Sequence, residues 1–251
     1  MAVHNTLHSL IYMVNTMTGR YTRNMPAITA DEQALLQNKS VLVVGCGGLG
    51  GYAIEYLARL GIGHLTAVDG DVFCESNLNR QLLSSSENIG KSKSTEAAAR
   101  VAAINPEIEI NAITEFFTAD NAAEILKGID IVIDALDNVE SRMALEDACE
   151  TAGITIVHGA VQGWNLQVTM VSPGSKILHN LYKADNAAPA THEASKDNPE
   201  AKSCLCPTPA CCAAIQVAEA LKILLGRGSS LNGNILFMDL QTAESYSVPL
   251  V

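Results

Sequence analysis

Gly45, Gly47 and Gly50 space a GxGxxG motif, with Gly48 inside it, directly behind the apolar run 41–44 and at the start of a helical pattern. Glycine's missing side chain permits a tight turn and close approach of backbone to phosphate, and a helix N-terminus favours the negative charge that arrives there. Asp69 closes the next apolar run, where a carboxylate accepts hydrogen bonds from ribose hydroxyls. A glycine turn that only tightens packing is the plain alternative, but the order strand, turn, helix, acid is that of a nucleotide site. Up to this point the pattern suits NAD and ATP equally.

The next residues separate the two. "DGDVFCESNLNRQ" (69 to 81) holds Asp69, Asp71, Asn77, Arg80 and Gln81, and "IGKSK" (89 to 93) supplies Lys91 and Lys93. Hydride transfer needs no group of cations beside a pyrophosphate. Cleavage between the α and β phosphates does, because negative charge builds there in the transition state. A surface ion pair for Arg80 and a solvated helix position for Lys93 are the alternatives. "DALDN" (134 to 138) ends a strand pattern with Asp134 and Asp137, at the edge where open α/β sheets bind ligands. A carboxylate there can hold Mg²⁺ against phosphate oxygens, or it can cap the helix that follows. Asp134 is expected to support the strand end.

Positioning these groups calls for alternating strands and helices. Strand patterns run over 41–44, 65–69, 108–113, 130–136 and 154–160, with helical patterns over 48–60, 91–104 and 138–150 between them. Such alternation predicts an α/β fold with a Rossmann-like, doubly wound, mostly parallel sheet. Residues 164–171 alternate and precede the turn "PGSK", and 234–240 and 244–249 read as two last strands, so antiparallel strands continue the sheet. Leu49, Ile54, Leu57 and Leu60 share a helical face, and Gly61 suits that helix's end. The chain reads as one domain over 1–251, with an N-terminal helical arm (1–30) and a flexible crossover loop (183–206). Beyond the loop, Thr208 is expected to cap a helix with Pro209 first, and Cys211, Ala214, Ala218, Leu221 and Leu225 as its buried stripe.

Composition narrows the partners. Sixteen basic against 27 acidic residues give a net charge of −11, which repels phosphate backbones and disfavours nucleic acid. No apolar run reaches a membrane span and the N-terminus lacks a secretory pattern, so the expected location is cytoplasmic, with no membrane partner. Four of seven cysteines crowd into "CLCPTPACC" (204 to 212), where structural disulfides are not expected and metal binding, a reactive thiol or packing stay open. Cys204 and Cys206 precede a helix whose N-terminus could lower a thiol's pKa. His158 reads as a core or edge histidine.

Taken together, "RYTRN" (20 to 24), "VGCGGLGG" (44 to 51), "DGDVFCESNLNRQ", "IGKSK", "INP" (104 to 106) and "DALDN" resemble, in order and spacing, the MoeB/ThiF/HesA family. These are bacterial relatives of the adenylation domains of ubiquitin-activating enzymes, and the match runs from about Arg20 to Leu250. The resemblance implies an adenylyltransferase that uses ATP and Mg²⁺ to join the C-terminal glycine carboxylate of a ubiquitin-like sulfur carrier, ending in Gly-Gly, to AMP with release of pyrophosphate. It implies a nucleotide site of Gly45, Gly47, Gly48, Gly50, Asp69, Asp71, Asn77, Arg80, Gln81, Lys93, Asp137 and Asn138. Asp69 would hold the ribose, Asn77, Arg80 and Lys93 the phosphates, and Asp137 the magnesium. Arg23 resembles a residue that family members insert into the partner subunit's site, which implies a homodimer. A glycine carboxylate is already ionised at neutral pH, so no catalytic histidine is required.

Two departures stand out. The paired CxxC motifs that hold a structural zinc in many members are missing, so no zinc is expected. Members that form a thioester or acyl-persulfide place a cysteine in or after the crossover loop, where Cys204 lies; adenylation alone is the other outcome. Related activation of a carboxyl on a tRNA base, and an NAD-dependent dehydrogenase, are the alternative functions.

Overall fold

In the computed structural model, which describes residues 19–184 and 203–250, the strand patterns become β1 (Ser40–Val44), β2 (His64–Val68), β3 (Glu109–Ile113), β4 (Ile131–Asp134), β5 (Thr155–Gln162), β6 (Asn165–Val171), β7 (Asn234–Asp239) and β8 (Glu244–Pro249). All eight lie in one sheet, in the order β3-β2-β1-β4-β5-β6-β7-β8. The first five are parallel, and β6, β7 and β8 pair antiparallel to their neighbours. The order β3-β2-β1-β4 means that the chain leaves β1 toward one edge and later returns on its other side. Ligand crevices of open α/β sheets form at such a switch point.

Helices α1 (Ala30–Leu36), α2 (Gly48–Leu60), α3 (Lys93–Ile104), α4 (Ala122–Ile125), α5 (Val139–Ala152), α6 (Ile177–Ala184) and α7 (Pro207–Leu224) pack around the sheet. Successive side chains on β1 point to opposite faces. Val41 and Val43 join a core with α2, α3 and α7, whereas Leu42 and Val44 join one with α4, α5 and α6. Both faces being covered explains why β1 is apolar from Val41 to Val44. Helix α2 buries Leu49, Ile54 and Leu57, and Gly61 ends it at φ 79°, a left-handed position that glycine adopts without strain.

Helix α7 differs from its expected form. It begins at Pro207, with Cys206 in the cap position and no side-chain cap, while the Thr208 hydroxyl instead donates to Gly163 O at 2.7 Å. Its buried side is Cys212, Gln216, Val217, Ala220 and Leu224, whereas Ala214 and Ala218 are exposed. A stripe drawn through apolar residues alone misses Gln216, which is buried because its amide donates to Asp134 O (2.8 Å) and Val157 O (3.0 Å). That polar anchor sets the rotation of the helix.

Of the expected loop, α6 runs on through Ala184, and residues 203–206 are ordered by Gly163, whose N–H donates to Ser203 O at 2.8 Å and which bridges to Cys204. Its middle, 185–202, lies outside the described residues, as do residues 1–18 of the expected arm. The described part of that arm holds a 3₁₀ helix, Gly19–Asn24, whose Tyr21 is buried. No helix among the described residues is long and apolar enough to cross a membrane.

Candidate functional site

The turns after β1, β2 and β4 meet at the C-terminal edge of the sheet. Gly45 has φ 94°, and a Cβ there would lie 2.6 Å from Ala135 O in the turn after β4. A Cβ on Gly50 would lie 1.7 Å from Gly45 O. Both positions therefore exclude a side chain, and the first turn of α2 folds back onto β1, its N–H groups having no partner within the helix.

Asp69, directly beyond β2, is fixed from two sides: its carboxylate accepts from Cys46 N at 2.7 Å and from Asp71 N at 2.8 Å. These contacts hold the acid beside the glycine turn, as a ribose site requires. Gln81 lies on the same turn, since a Cβ on Gly47 would stand 3.4 Å from its amide nitrogen, and its buried Oε1 has no hydrogen-bond partner. A Cβ on Gly48 would meet the Pro209 ring at 3.6 Å and Arg80 Cγ at 3.9 Å. Arg80 is thus laid along the glycine turn, its guanidinium held by Ser76 O and Asn79 Oδ1, both at 2.9 Å.

Lys93 begins α3, is 7% exposed, and donates to Asp71 Oδ2 at 2.9 Å. It is a buried cation at the C-terminal edge of the sheet, not a solvated helix residue. Asn77 is buried too, but its carbonyl oxygen accepts from Cys74 N at 3.0 Å. That bond braces its own short turn, so the side chain's first task is structural.

After β4, Asn138 and not Asp137 caps α5: its Oδ1 accepts from Ser141 N at 2.9 Å. Asp137 is exposed, and among the described residues its side chain accepts one hydrogen bond, from Asn138 Nδ2 at 3.3 Å. Among the described residues no cation pairs with it, leaving the carboxylate available to a hard divalent ion. No group of three or more His, Cys, Asp or Glu side chains among those residues could hold a metal by itself. One carboxylate with the remaining ligands from phosphate and water is how Mg²⁺ is commonly held at nucleotide sites.

Behind this edge lies a buried network that was not expected in full. Asp134 accepts from Leu136 N (3.0 Å) and lies 2.7 Å from His158 Nδ1, and His158 Nε2 lies 3.1 Å from the Tyr182 hydroxyl. Arg142 donates to that hydroxyl at 2.9 Å and to Leu136 O at 2.5 Å. Burial holds His158 below its ordinary pKa. Burial alone would raise Asp134, but the His158 hydrogen bond, with the His158 and Arg142 charges, brings its carboxyl below the usual range. The arrangement consistent with these His158 contacts is a carboxylate beside a neutral imidazole protonated on Nδ1. Asp134 and His158 thus shape the turn that presents Asp137. Arg142 and Gln216, which support the same turn, were not singled out; a lone arginine and a lone glutamine within buried helical faces were the available signals.

Of two further assigned residues, Arg23 lies away from the turn and Cys204 beside its Arg80 rim. Arg23 is exposed and makes no hydrogen bond or ion pair among the described residues. Its helix packs through Tyr21 against Gly61, the far end of α2, because a Cβ on Gly61 would lie 2.5 Å from the Tyr21 ring. Cys204 sits between Gly163 and Asn79, whose Nδ2 donates to Cys204 O at 3.0 Å. Burial pushes its thiol upward, with Arg80 offsetting part of the rise, so the expected lowering by the helix N-terminus is not what governs it. Cys206 is exposed, with its sulfur 2.8 Å from the Tyr52 hydroxyl, and Cys212 is in the core.

A model of the ThiF family matches residues 21–250. The chain is 34% identical over 236 residues to the SAMP-activating enzyme E1 of Haloferax volcanii, covering 93% of this chain and 86% of that protein. It is 34% identical over 231 residues to the sulfur carrier protein adenylyltransferase of Thermus thermophilus, covering 88% of this chain and 82% of that protein. Among solved structures, MccB of E. coli with succinimide superposes with a TM-score of 0.79 over 94% of this chain and 72% of that one; at 20% identity this is a likeness of fold.

Proposed function

The chain belongs to the ThiF family, and from that premise we propose that it is an ATP-dependent adenylyltransferase acting on the C-terminal glycine carboxylate of a ubiquitin-like sulfur carrier. The relatives above are named for such activation. The observation that carries the reading is the convergence of the open α2 N-terminus, a ribose-ready Asp69, Arg80 and a buried Lys93 on one sheet edge. A dehydrogenase has no use for that pair of cations. The net charge of −11 counts against a tRNA substrate.

In the proposed reaction a carboxylate oxygen of the carrier attacks the α-phosphorus. The bond from that phosphorus to the bridging oxygen breaks, and pyrophosphate leaves with the electron pair. No proton moves, which suits a site without a general base. The α2 N–H groups and Arg80 would bind phosphate oxygens, and Lys93, released from Asp71, would neutralise charge on the leaving pyrophosphate. Asp69 would hold the ribose, and Gln81 Oε1 has an acceptor to offer. Asp137 would hold Mg²⁺, which supplies charge neutralisation across the phosphates when bound.

Arg23 fits this scheme through a partner. In its own chain it lies beyond the C-terminal end of the 13-residue α2, about 20 Å from the N-terminus where phosphate would sit. We take the enzyme to be a homodimer with composite sites, acting as one adenylation domain in the cytoplasm, a reducing compartment suited to free thiols. A covalent role for Cys204 would belong to a later step, in which its thiol displaces AMP. The direct test is adenylate formation with Mg-ATP and a small carrier ending in Gly-Gly. Turnover that needs the carrier's terminal carboxylate supports the proposal; nucleotide binding without adenylation of any such carrier counts against it.

A further inference from the structure

One side-chain amide joins the arginine of the phosphate edge to the strand that carries Cys204. Asn79 is exposed, yet both of its polar atoms are engaged. Its Oδ1 accepts from Arg80 Nη1 at 2.9 Å, and its Nδ2 donates to Cys204 O at 3.0 Å, 125 residues away in sequence. A guanidinium only donates and a backbone carbonyl only accepts, so these two partners leave the amide a single orientation.

Both ends of the link are themselves fixed. The turn after the 3₁₀ helix Glu75–Asn77 holds the arginine's backbone, because Arg80 N donates to Asn77 O at 3.1 Å. Arg80 Nη1 also donates to Ser76 O at 2.9 Å. The two N–H groups of Nη1 are thereby spent on Ser76 and Asn79, and Nη2 and Nε make no hydrogen bond among the described residues. Since a guanidinium is a rigid plane, holding one nitrogen by two bonds aims the remaining fork. At the other end, Gly163 N donates to Ser203 O at 2.8 Å, Gly163 bridges to Cys204, and the Thr208 hydroxyl donates to Gly163 O at 2.7 Å. The Cys204 strand is thus tied to the β5–β6 turn and to the first turn of α7, and Asn79 is its tie to the phosphate edge.

We propose that Asn79 is a positioning residue for Arg80, setting the guanidinium toward phosphate from the backbone of the Cys204 strand. The assignment rests on the reading of this edge as a phosphate site. It makes the aim of Arg80 depend on the segment that carries the candidate thiol.

The test is titration calorimetry of the full chain with Mg-bound pyrophosphate, on wild type, Asn79→Ala, Arg80→Ala and the double variant. Beside it, labelling of Cys204 by iodoacetamide is followed by peptide mass spectrometry, with the exposed Cys74 as internal reference. Asn79→Ala should unfold close to the wild-type temperature, because the side chain is exposed. It should bind pyrophosphate about three- to tenfold more weakly, the loss of one orienting hydrogen bond. The double variant should bind no more weakly than Arg80→Ala, since Asn79 acts through that one group. Cys204 should label severalfold faster in Asn79→Ala, its carbonyl no longer held, with Cys74 unchanged. Wild-type affinity in Asn79→Ala would overturn the proposal. So would a double variant that falls below Arg80→Ala by the factor that separates Asn79→Ala from wild type. Unchanged or slower labelling of Cys204 would overturn it by removing the tie to the strand. A wild-type chain that does not bind pyrophosphate would instead bring down the functional reading beneath it.

Discussion

If Arg23 works in the partner's site, two inactive subunits should repair each other. Tyr21 ties the Arg23 segment to Gly61 at the C-terminal end of α2, while phosphate would bind at its N-terminus, 13 residues away. At a rise of 1.5 Å per residue the gap is about 20 Å, which an arginine side chain does not span. Arg23→Ala and Asp137→Ala homodimers should each fall by roughly a hundredfold or more, the usual loss on removing one group that stabilises transition-state charge. When the two are combined at equal amounts, about half of the dimers are mixed, and each mixed dimer holds one site with both groups intact and one with neither. Recovered activity is therefore about one quarter of wild type in the mixture and about one half in the isolated mixed dimer. The assay is carrier-dependent pyrophosphate exchange on co-expressed, differently tagged subunits, purified through both tags to isolate the mixed dimer. A purified mixed dimer with no more activity than its parents would refute the crossed-site argument, as would a chain that remains monomeric at working concentration.

Three further outcomes are expected. Arg80→Ala and Lys93→Ala should each lower adenylate formation by roughly 10²- to 10³-fold with unfolding temperatures close to wild type; near-normal turnover in either would remove that residue from the phosphate site. Folded His158 and Asp134 both have pKa values below their ordinary 6.5 and 3.8, so the unfolded chain binds more protons as pH falls. Stability should then decline below about pH 6.5 by at most about 1.4 kcal/mol per unit for the histidine alone, and again near the carboxylate range, with the first decline missing in His158→Gln; equal slopes in urea titrations of both proteins from pH 8 to 5 would contradict this. Cys204→Ser should leave pyrophosphate exchange intact while abolishing any thioester to the carrier seen on non-reducing gels, and loss of exchange would place the thiol in the first step.

Much of the fold was legible because two periodicities dominate it. Val41 to Val44 are apolar on both faces, as a covered parallel strand demands, and α2 carries its apolar face and its terminal Gly61 at helical spacing. What could not be read locally were positions fixed by distant polar partners. The rotation of α7 depends on Gln216 reaching Asp134 O and Val157 O, carbonyls 82 and 59 residues away. At the candidate site, residue types and order singled out the glycine turn, Asp69, Arg80 and Lys93, which the fold brings to one sheet edge. Which of two neighbours caps α5 was not legible: Asp137 and Asn138 are both good caps, and only geometry gives the cap to Asn138 and frees Asp137. The thiol of Cys204 likewise depends on burial that no spacing reveals.

The most direct measurement is exchange of labelled pyrophosphate into ATP by the purified protein, with and without a Gly-Gly carrier from the same genome, and with that carrier lacking its final glycine. The account predicts exchange that requires the carrier and vanishes when the terminal glycine is removed. Exchange that proceeds equally with the truncated carrier, or none with any Gly-Gly carrier while ATP is bound, would contradict it.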